Sequence, residues 1–348
     1  MVDVAIVGAA GYAGIEAVRL VLGHPGMRLV AATSTSDAGT RLDEVYPALG
    51  GLTDLVFSEP DVDQIAARAE IAFLAVPHTA ALKLAGPLLE RGTRVVDASA
   101  DFRLKDPSVY EAWYATPHTA PELLGQAVYG LPELYRAELA NARLVACPGC
   151  YPTAAVLAAL PALEAGVVRF ERIVIDAKSG VSGAGRTVSS AMQFCVVNES
   201  VAPYKVAGHR HIPEIEQTFS DVVGAPVCVT FAPHLVPMTR GMLVTLFLEI
   251  AEPASFTLDR AVDLYGARYA SDPFISVHPA GRMPTTREVH GTNRAHVGLA
   301  VDKRTGTLIV ACAIDNLVKG TSGQALQCAN LMLGFGETEG LTLPVPVV

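Results

Sequence analysis

The sequence predicts an α/β protein of two domains: an N-terminal domain with a parallel sheet covered by helices, then an α+β domain with a mostly antiparallel or mixed sheet. Three observations carry this. Before Cys150, short β-branched runs that are apolar on both faces alternate with helical stretches, the pattern of a buried parallel sheet. After Cys150 the strands lengthen and alternate apolar with polar residues, as strands with one covered face do. Finally, 348 residues, 51% of them hydrophobic, exceed what one ordinary domain needs.

Residues 4–7 form the first strand and run into glycine; residues 12–22 then read as a helix. Further strands are expected at 28–33, 71–76, 94–97 and 143–146, with a helix at 80–89 between two of them. In the second part, 153–163 is an apolar helix and 172–176 a strand, and Pro213 opens a helix whose apolar side carries Ile215, Phe219 and Val222. Strands follow at 227–231, 242–250, 296–301 and 308–314, the last two joined by the charged, glycine-containing loop 302–307 that suits a hairpin. A helix at 317–333, with Leu317, Ala325, Ala329 and Met332 toward the core, closes the pattern. No repeat, low-complexity tract or long linker interrupts the chain, so the boundary near Pro148 reads as a hinge between packed domains.

With 26 basic and 35 acidic residues the net charge is −9. There is no broad basic field, and neither nucleic acid nor an anionic membrane is an expected partner. The longest apolar stretch, 151–163, is broken by Pro152 and Pro161 and is too short to span a bilayer. No basic, cleavable leader precedes the first strand and the six cysteines are scattered, so a cytoplasmic protein without a disulfide framework is expected.

Gly8-Ala9-Ala10-Gly11-Tyr12-Ala13-Gly14 lies between the first strand and the first helix. Glycines there make the tight turn of a Rossmann unit, let a pyrophosphate approach the backbone, and bring helix against strand. The phosphates then rest on amides at the positive end of the helix. The spacing is G-x-x-G-x-x-G and departs from G-x-G-x-x-G, so position carries as much weight as pattern. The end of the second strand reads Thr33-Ser34-Thr35-Ser36, with Asp37 just beyond. Hydroxyls of Ser34 and Ser36 can donate to a 2′-phosphate where a strand-end carboxylate would repel it, which favours NADP(H) over NAD; Asp37 is the reservation.

Cys147-Pro148-Gly149-Cys150-Tyr151-Pro152-Thr153 is the most informative segment. Pro152 suits an early helical position, which puts Cys150 at the helix N-terminus, where the dipole favours a nucleophilic thiolate. A buried inert thiol is the bland alternative, and it fits Cys228 and Cys312 in apolar strands better. The C-x-x-C spacing also allows a disulfide switch, or a metal site with His209 and His211, but neither is the main reading and no metal is expected. Those two histidines sit in Gly208-His209-Arg210-His211-Ile212-Pro213-Glu214 and make a case for a Cys–His pair, although the residues alone do not say which imidazole takes part. The Ser179–Arg186 stretch, with Ser182 and Gly183, offers free amides and hydroxyls after a strand, and Ser99-Ala100-Asp101-Phe102-Arg103 follows the fourth strand; both read as anion-handling loops. Arg240, between Thr239 and Gly241, can bind a carboxylate bidentately or form a structural ion pair.

Taken together these segments resemble the N-acetyl-γ-glutamyl-phosphate reductase family, related to aspartate-semialdehyde dehydrogenase. The resemblance runs almost end to end. It includes Gly8 to Gly14, Ala75-Val76-Pro77-His78, Asp97 to Leu104, Tyr129-Gly130-Leu131-Pro132-Glu133, Pro148 to Thr153, the Ser179 to Gly185 loop, His209-Arg210-His211, Pro233 to Gly241, and Asp315-Asn316-Leu317-Val318-Lys319-Gly320. One departure is Cys147, where similar enzymes usually carry Asn.

The resemblance implies an NADPH-dependent reduction of an acyl phosphate through a cysteine thioester, with phosphate released, in arginine biosynthesis. Cys150 would be the nucleophile, His209 its acid–base partner and Glu214 a supporting carboxylate. Gly8, Ala10, Gly11, Tyr12, Gly14, Ser34, Ser36, Pro77, Ser182, Gly183 and Asn316 would contact NADP(H), and Arg103, His211 and Arg240 the substrate. Residues 1–148 plus a C-terminal helix at about 315–348 would form the NADP-binding domain, and 149–314 the catalytic and oligomerisation domain of a homodimer or homotetramer. A related reductase of aspartyl or aminoadipyl type, or a nucleotide-binding redox sensor built on Cys147 and Cys150, are the alternatives.

Overall fold

The computed structural model describes residues 1–342; the last residues of the expected C-terminal segment, 343–348, lie outside them. Among the described residues the chain divides into two compact units, one of Met1–Pro148 with residues 321–342, the other of Gly149–Gly320.

The first unit holds strands β1 (Val2–Val7), β2 (Met27–Thr33), β3 (Ile71–Leu74), β4 (Arg94–Asp97), β5 (Ala127–Tyr129) and β6 (Leu144–Ala146). They form one sheet in the order β2-β1-β3-β4-β6-β5, parallel at every pairing. Residues such as Ile6, Ile71, Val95 and Val145 are fully buried, which is why the strands read as unbroken apolar runs. The strand order reverses between β1 and β3, so the glycine turn that leaves β1 lies at a topological switch point. The closing helix, Gly323–Leu333, belongs to this unit: the Ser322 hydroxyl donates to the Ala13 carbonyl at 2.7 Å and the Cys328 thiol to that of Gly130 at 3.3 Å. It begins six residues later than the sequence suggests. The Asp315 carboxylate accepts the Leu317 and Val318 amides, and a π-helical turn, Val318–Ser322, precedes regular helix.

The second unit carries β7 (Val168–Ser179), β8 (Ala202–Pro203), β9 (Val229–Leu235), β10 (Met242–Ile250), β11 (Ile275–Val277), β12 (Ala295–Asp302) and β13 (Thr307–Ile314). Their order is β11-β12-β13-β10-β7-β9-β8. The central pairs are antiparallel, while β7 with β9 and β11 with β12 are parallel, so the sheet is mixed. Along β10, Met242, Val244, Leu246, Leu248 and Ile250 are buried and alternate with more open residues. The helix Cys150–Glu164 is buried almost all round from Tyr151 to Leu163. Pro161 interrupts it chemically, because proline cannot donate to the carbonyl four residues back, that of Leu157. The Tyr269 hydroxyl supplies the missing donor to Leu157 O at 2.7 Å, and the Tyr265 hydroxyl donates to the neighbouring Ala158 O at 2.7 Å. Among the described residues no helix is long and apolar enough to cross a membrane.

Candidate active site

The glycine turn has three separate physical reasons for its three glycines. Gly8 has a φ of +80°, and a Cβ there would lie 2.4 Å from the Ala75 carbonyl oxygen. A Cβ on Gly14 would lie 2.2 Å from Gly8 O, so helix and strand meet with no room for a side chain. Gly11 caps the helix Tyr12–Leu22 in an extended conformation, and no side chain bonds the helix's first amides. A Cβ there would meet only Gly8 O, at an ordinary 3.5 Å, so its absence leaves space for a ligand to approach the backbone. Ala10 is fixed from behind, its carbonyl accepting the Tyr46 hydroxyl at 2.6 Å, while Tyr12 is 38% exposed. This turn fits a dinucleotide pyrophosphate.

At the end of β2 the geometry amends the expectation. The hydroxyls of Ser34 and Ser36 both donate to one oxygen of Asp37, at 2.9 and 2.6 Å. A carboxylate therefore does sit at the strand end, and it engages both hydroxyls offered to a 2′-phosphate. Pro77 lies in the loop after β3, its carbonyl accepting the Ala80 amide. The segment after β4 is turned inward. Asp101 accepts the Thr79 and Ala81 amides and the Tyr110 hydroxyl, and burial pushes the Asp97 carboxyl up to about 7 despite hydrogen bonds from Ser99. Arg103, 9% exposed, donates to the carbonyls of Cys147 at 2.7 Å and Ala98 at 2.9 Å. These bonds commit part of its guanidinium to holding the backbone of the first unit.

In the second unit, Cys150 is the first residue of its helix and is partly accessible, with Gly149 as an N-cap that brings no side chain to the helix end. Three contacts corner it. The buried carboxylate of Glu214 accepts the Gly149 amide at 2.8 Å, fixing the peptide just before the sulfur. The His211 imidazole lies on Gly149, where a Cβ would be 2.4 Å from Nε2. Gly320 closes the other side, its hypothetical Cβ 2.8 Å from that of Cys150. Glu214 thus acts here as a positioning residue through the backbone.

His209 stands among aromatic rings, its centroid 5.5 Å from those of Tyr151, Tyr204 and Phe231 and 4.8 Å from that of His211. Burial first, then the neighbouring charges of Lys205 and Arg210, push its pKa down to about 4, so the ring is neutral at pH 7. Its Nδ1 accepts the His211 amide at 3.1 Å. An amide can only donate, so the single proton of the neutral ring is on Nε2. In this arrangement Nε2 of the neutral His209 ring is a donor.

Two phenols that the sequence reading did not single out complete the surroundings. Tyr204 donates to the Tyr151 hydroxyl at 3.1 Å. Burial is the main cause that holds both protonated, Tyr204 pushed up to about 12 and Tyr151 higher still, and negative charge on nearby Cys150 adds to it. Tyr151 lies inside the cysteine motif and was findable; Tyr204 comes from an irregular, patternless stretch and was not.

Asn316 donates to the Ser182 hydroxyl at 3.0 Å and accepts the Gly241 amide at 2.8 Å, so its side chain ties the loop after β7 to the start of β10. Gly183 lies beside it, a Cβ there falling 3.8 Å from Asn316 Nδ2. Arg240 Nε is 3.3 Å from the fully buried Asp315, which also accepts the Gly291 amide at 2.7 Å. Of the two uses foreseen for Arg240, the ion pair is therefore present.

Residues 3–142 match the semialdehyde dehydrogenase NAD binding domain and residues 150–316 the semialdehyde dehydrogenase dimerisation domain. Over 347 residues the chain is 50% identical to the N-acetyl-gamma-glutamyl-phosphate reductase of Symbiobacterium thermophilum, covering 99% of each. It is 51% identical to that of Halorhodospira halophila over 98% of each. Among solved structures, aspartate semialdehyde dehydrogenase II of Vibrio cholerae, complexed with ASA, aligns at a TM-score of 0.71 and 18% identity, covering 96% of this chain and 98% of the other. The Candida albicans enzyme, solved with NADP, aligns at 0.70 and 14%, again covering 96% and 98%. At such identities these two structures speak for the fold.

Proposed function

Because the chain belongs to the N-acetyl-gamma-glutamyl-phosphate reductase family, we propose that it reduces N-acetyl-γ-glutamyl phosphate to the semialdehyde with release of phosphate, the arginine-pathway reaction. The observation that carries the mechanism is Cys150 as the first residue of its helix, behind an N-cap, Gly149, that has no side chain of its own, cornered by Gly149, His211 and Gly320. The helix end favours negative charge on Sγ. The thiolate attacks the acyl carbon, the bond from that carbon to the phosphate oxygen breaks, and phosphate departs with the electron pair, leaving a thioester on Cys150. The Gly8–Gly14 turn would hold NADPH, which when bound would supply the hydride that reduces this thioester. The resulting oxyanion collapses to the aldehyde and returns the electron pair to the sulfur. His209, neutral with its proton on Nε2, serves as a hydrogen-bond donor to the oxyanion. Glu214 holds the Gly149 peptide so that the sulfur keeps its line of attack.

Arg240 and His211 are assigned to the substrate side and Asn316 to the ordering of the Ser182–Gly183 loop. The match of residues 150–316 to a dimerisation domain supports a homodimer, or a tetramer built from it. The deciding assay is NADPH oxidation with a panel of acyl phosphates, N-acetylated and free-amino. The N-acetylglutamyl compound should turn over fastest by a wide margin. Cys150→Ser should fold and bind NADPH while turnover falls at least about 10³-fold. Turnover near wild type in that variant would disprove the thioester route.

A further inference from the structure

At the edge of the second sheet, His278, Glu288 and His296 converge. His278 directly follows β11, and its amide donates to Val297 O at 2.7 Å. His296 is in β12, which pairs in parallel with β11. Glu288 comes from the 3₁₀ turn Thr286–Val289, where it closes a capping box with Thr285. His278 Nε2 is 3.3 Å from His296 Nδ1; Glu288 Oε2 is 3.4 Å from His296 Nδ1 and 3.8 Å from His278 Nε2. We propose that these three side chains form a binding site for a zinc-class divalent cation, with a fourth position open to water.

The spacing carries the argument. A tetrahedral zinc at about 2.0–2.1 Å from its ligands sets neighbouring ligand atoms about 3.3–3.4 Å apart, and two of the three edges have that length. Protons satisfy the cluster less well. If His278 donates to His296 Nδ1, that nitrogen faces the Glu288 oxygen lone pair to lone pair. If His296 donates to Glu288 instead, the His278–Glu288 edge, at 3.8 Å, remains too long for a hydrogen bond. One cation meets all three atoms at once. Arg282 donates to the other oxygen of Glu288 at 2.8 Å, which leaves Oε2 facing the two imidazoles. Arg282 and the Thr285 amide orient the carboxylate from outside, and Arg282, with its side chain 60% exposed, can turn away as the dication enters. The loop so pinned carries Gly291, whose amide holds Asp315, so the cation would brace that segment too.

The test uses the full chain in a Cys150→Ser background, which removes the nucleophilic thiolate as a competing ligand, stripped with chelator and titrated with Co²⁺ and then Zn²⁺. One Co²⁺ should bind per chain with ligand-field bands and no thiolate-to-metal charge-transfer band. Zn²⁺ should displace it and raise the melting temperature by at least about 3 °C. Glu288→Gln and His296→Gln should each weaken Co²⁺ binding at least about tenfold, with unchanged circular dichroism in chelator. A thiolate band, no saturable binding, or affinity in both variants unchanged from that of the unsubstituted cluster would overturn the proposal. Should either variant fail to fold, the stoichiometry and spectrum of the unsubstituted cluster decide alone.

Discussion

Gly149→Ala isolates the effect of one methyl group beside the nucleophile. Gly149 has φ −65° and ψ 156°, a conformation alanine adopts freely, so backbone strain plays no part. The obstacle is the His211 ring, whose Nε2, Cε1 and Cδ2 would lie 2.4, 2.7 and 2.9 Å from the new Cβ. Ordinary contact begins at 3.4 Å, so the imidazole or the Cys150 peptide must yield by about 1 Å. A shift of that size beside a reacting atom costs about 10²-fold in kcat/KM, and overpacking costs about 1–3 kcal/mol of stability. Steady-state kinetics and thermal melts of Gly149→Ala, His211→Ala and the double variant check both figures. With His211 truncated, the three atoms nearest the extra methyl are gone, so the double variant should match His211→Ala alone. If Gly149→Ala costs as much in that background as in the wild type, the clash is not the cause.

Three further outcomes are expected. Asp37→Ala frees the hydroxyls of Ser34 and Ser36 and removes a negative charge, so NADPH affinity should rise by about 1 kcal/mol, roughly fivefold, relative to NADH in fluorescence titrations; an unchanged ratio would show that Asp37 does not face the ribose. His209 titrates at about 4 folded against an ordinary 6.5, so between those pH values the unfolded chain binds a proton that the folded chain does not. Stability should therefore fall as the pH drops through that window, by on the order of 3 kcal/mol in full, and His209→Asn should flatten the plot of melting temperature against pH; an unchanged slope speaks against the shift. Tyr269→Phe leaves the Leu157 carbonyl without the donor that Pro161 withholds, and should cost about 1–3 kcal/mol in chemical denaturation with kinetics untouched; a neutral result would mean that the carbonyl finds another partner.

Much of the fold was legible because burial leaves a period in the sequence. The strand Met242–Ile250 and the helix Tyr12–Leu22 have the expected limits, since alternation and glycine mark both ends. The strand Ala127–Tyr129 was not foreseen: three half-buried residues carry no period. The closing helix opens with the π-helical turn Val318–Ser322, capped by Asp315 through the amides of Leu317 and Val318, a detail that apolar spacing does not record. At the site, Cys150 was readable from proline and glycine around it. The proton position on His209 was not, because it follows from one amide reaching Nδ1. Arg103 and Arg240 show the same limit from the other side. A guanidinium in a loop reads alike whichever protein group shares it, so the partners that the folded chain gives Arg103 and Arg240 were not readable.

The second unit is an insertion: the chain enters it at Gly149 and leaves it at Gly320, and these two ends touch at Cys150. On the ribosome this sets an order of completion. Once Gly320 has emerged, every residue that corners the sulfur exists, and the inserted unit can finish folding. The first unit, begun earlier, still lacks the helix Gly323–Leu333, which is buried almost throughout, and so is finished last. The sulfur of Cys150 thus sits where the two ends of the inserted unit meet. Because those ends are neighbours in space, a circular permutant of this unit that links Gly320 to Gly149 by a short glycine bridge and opens the chain at the exposed residues 303–305 would keep Cys150 cornered.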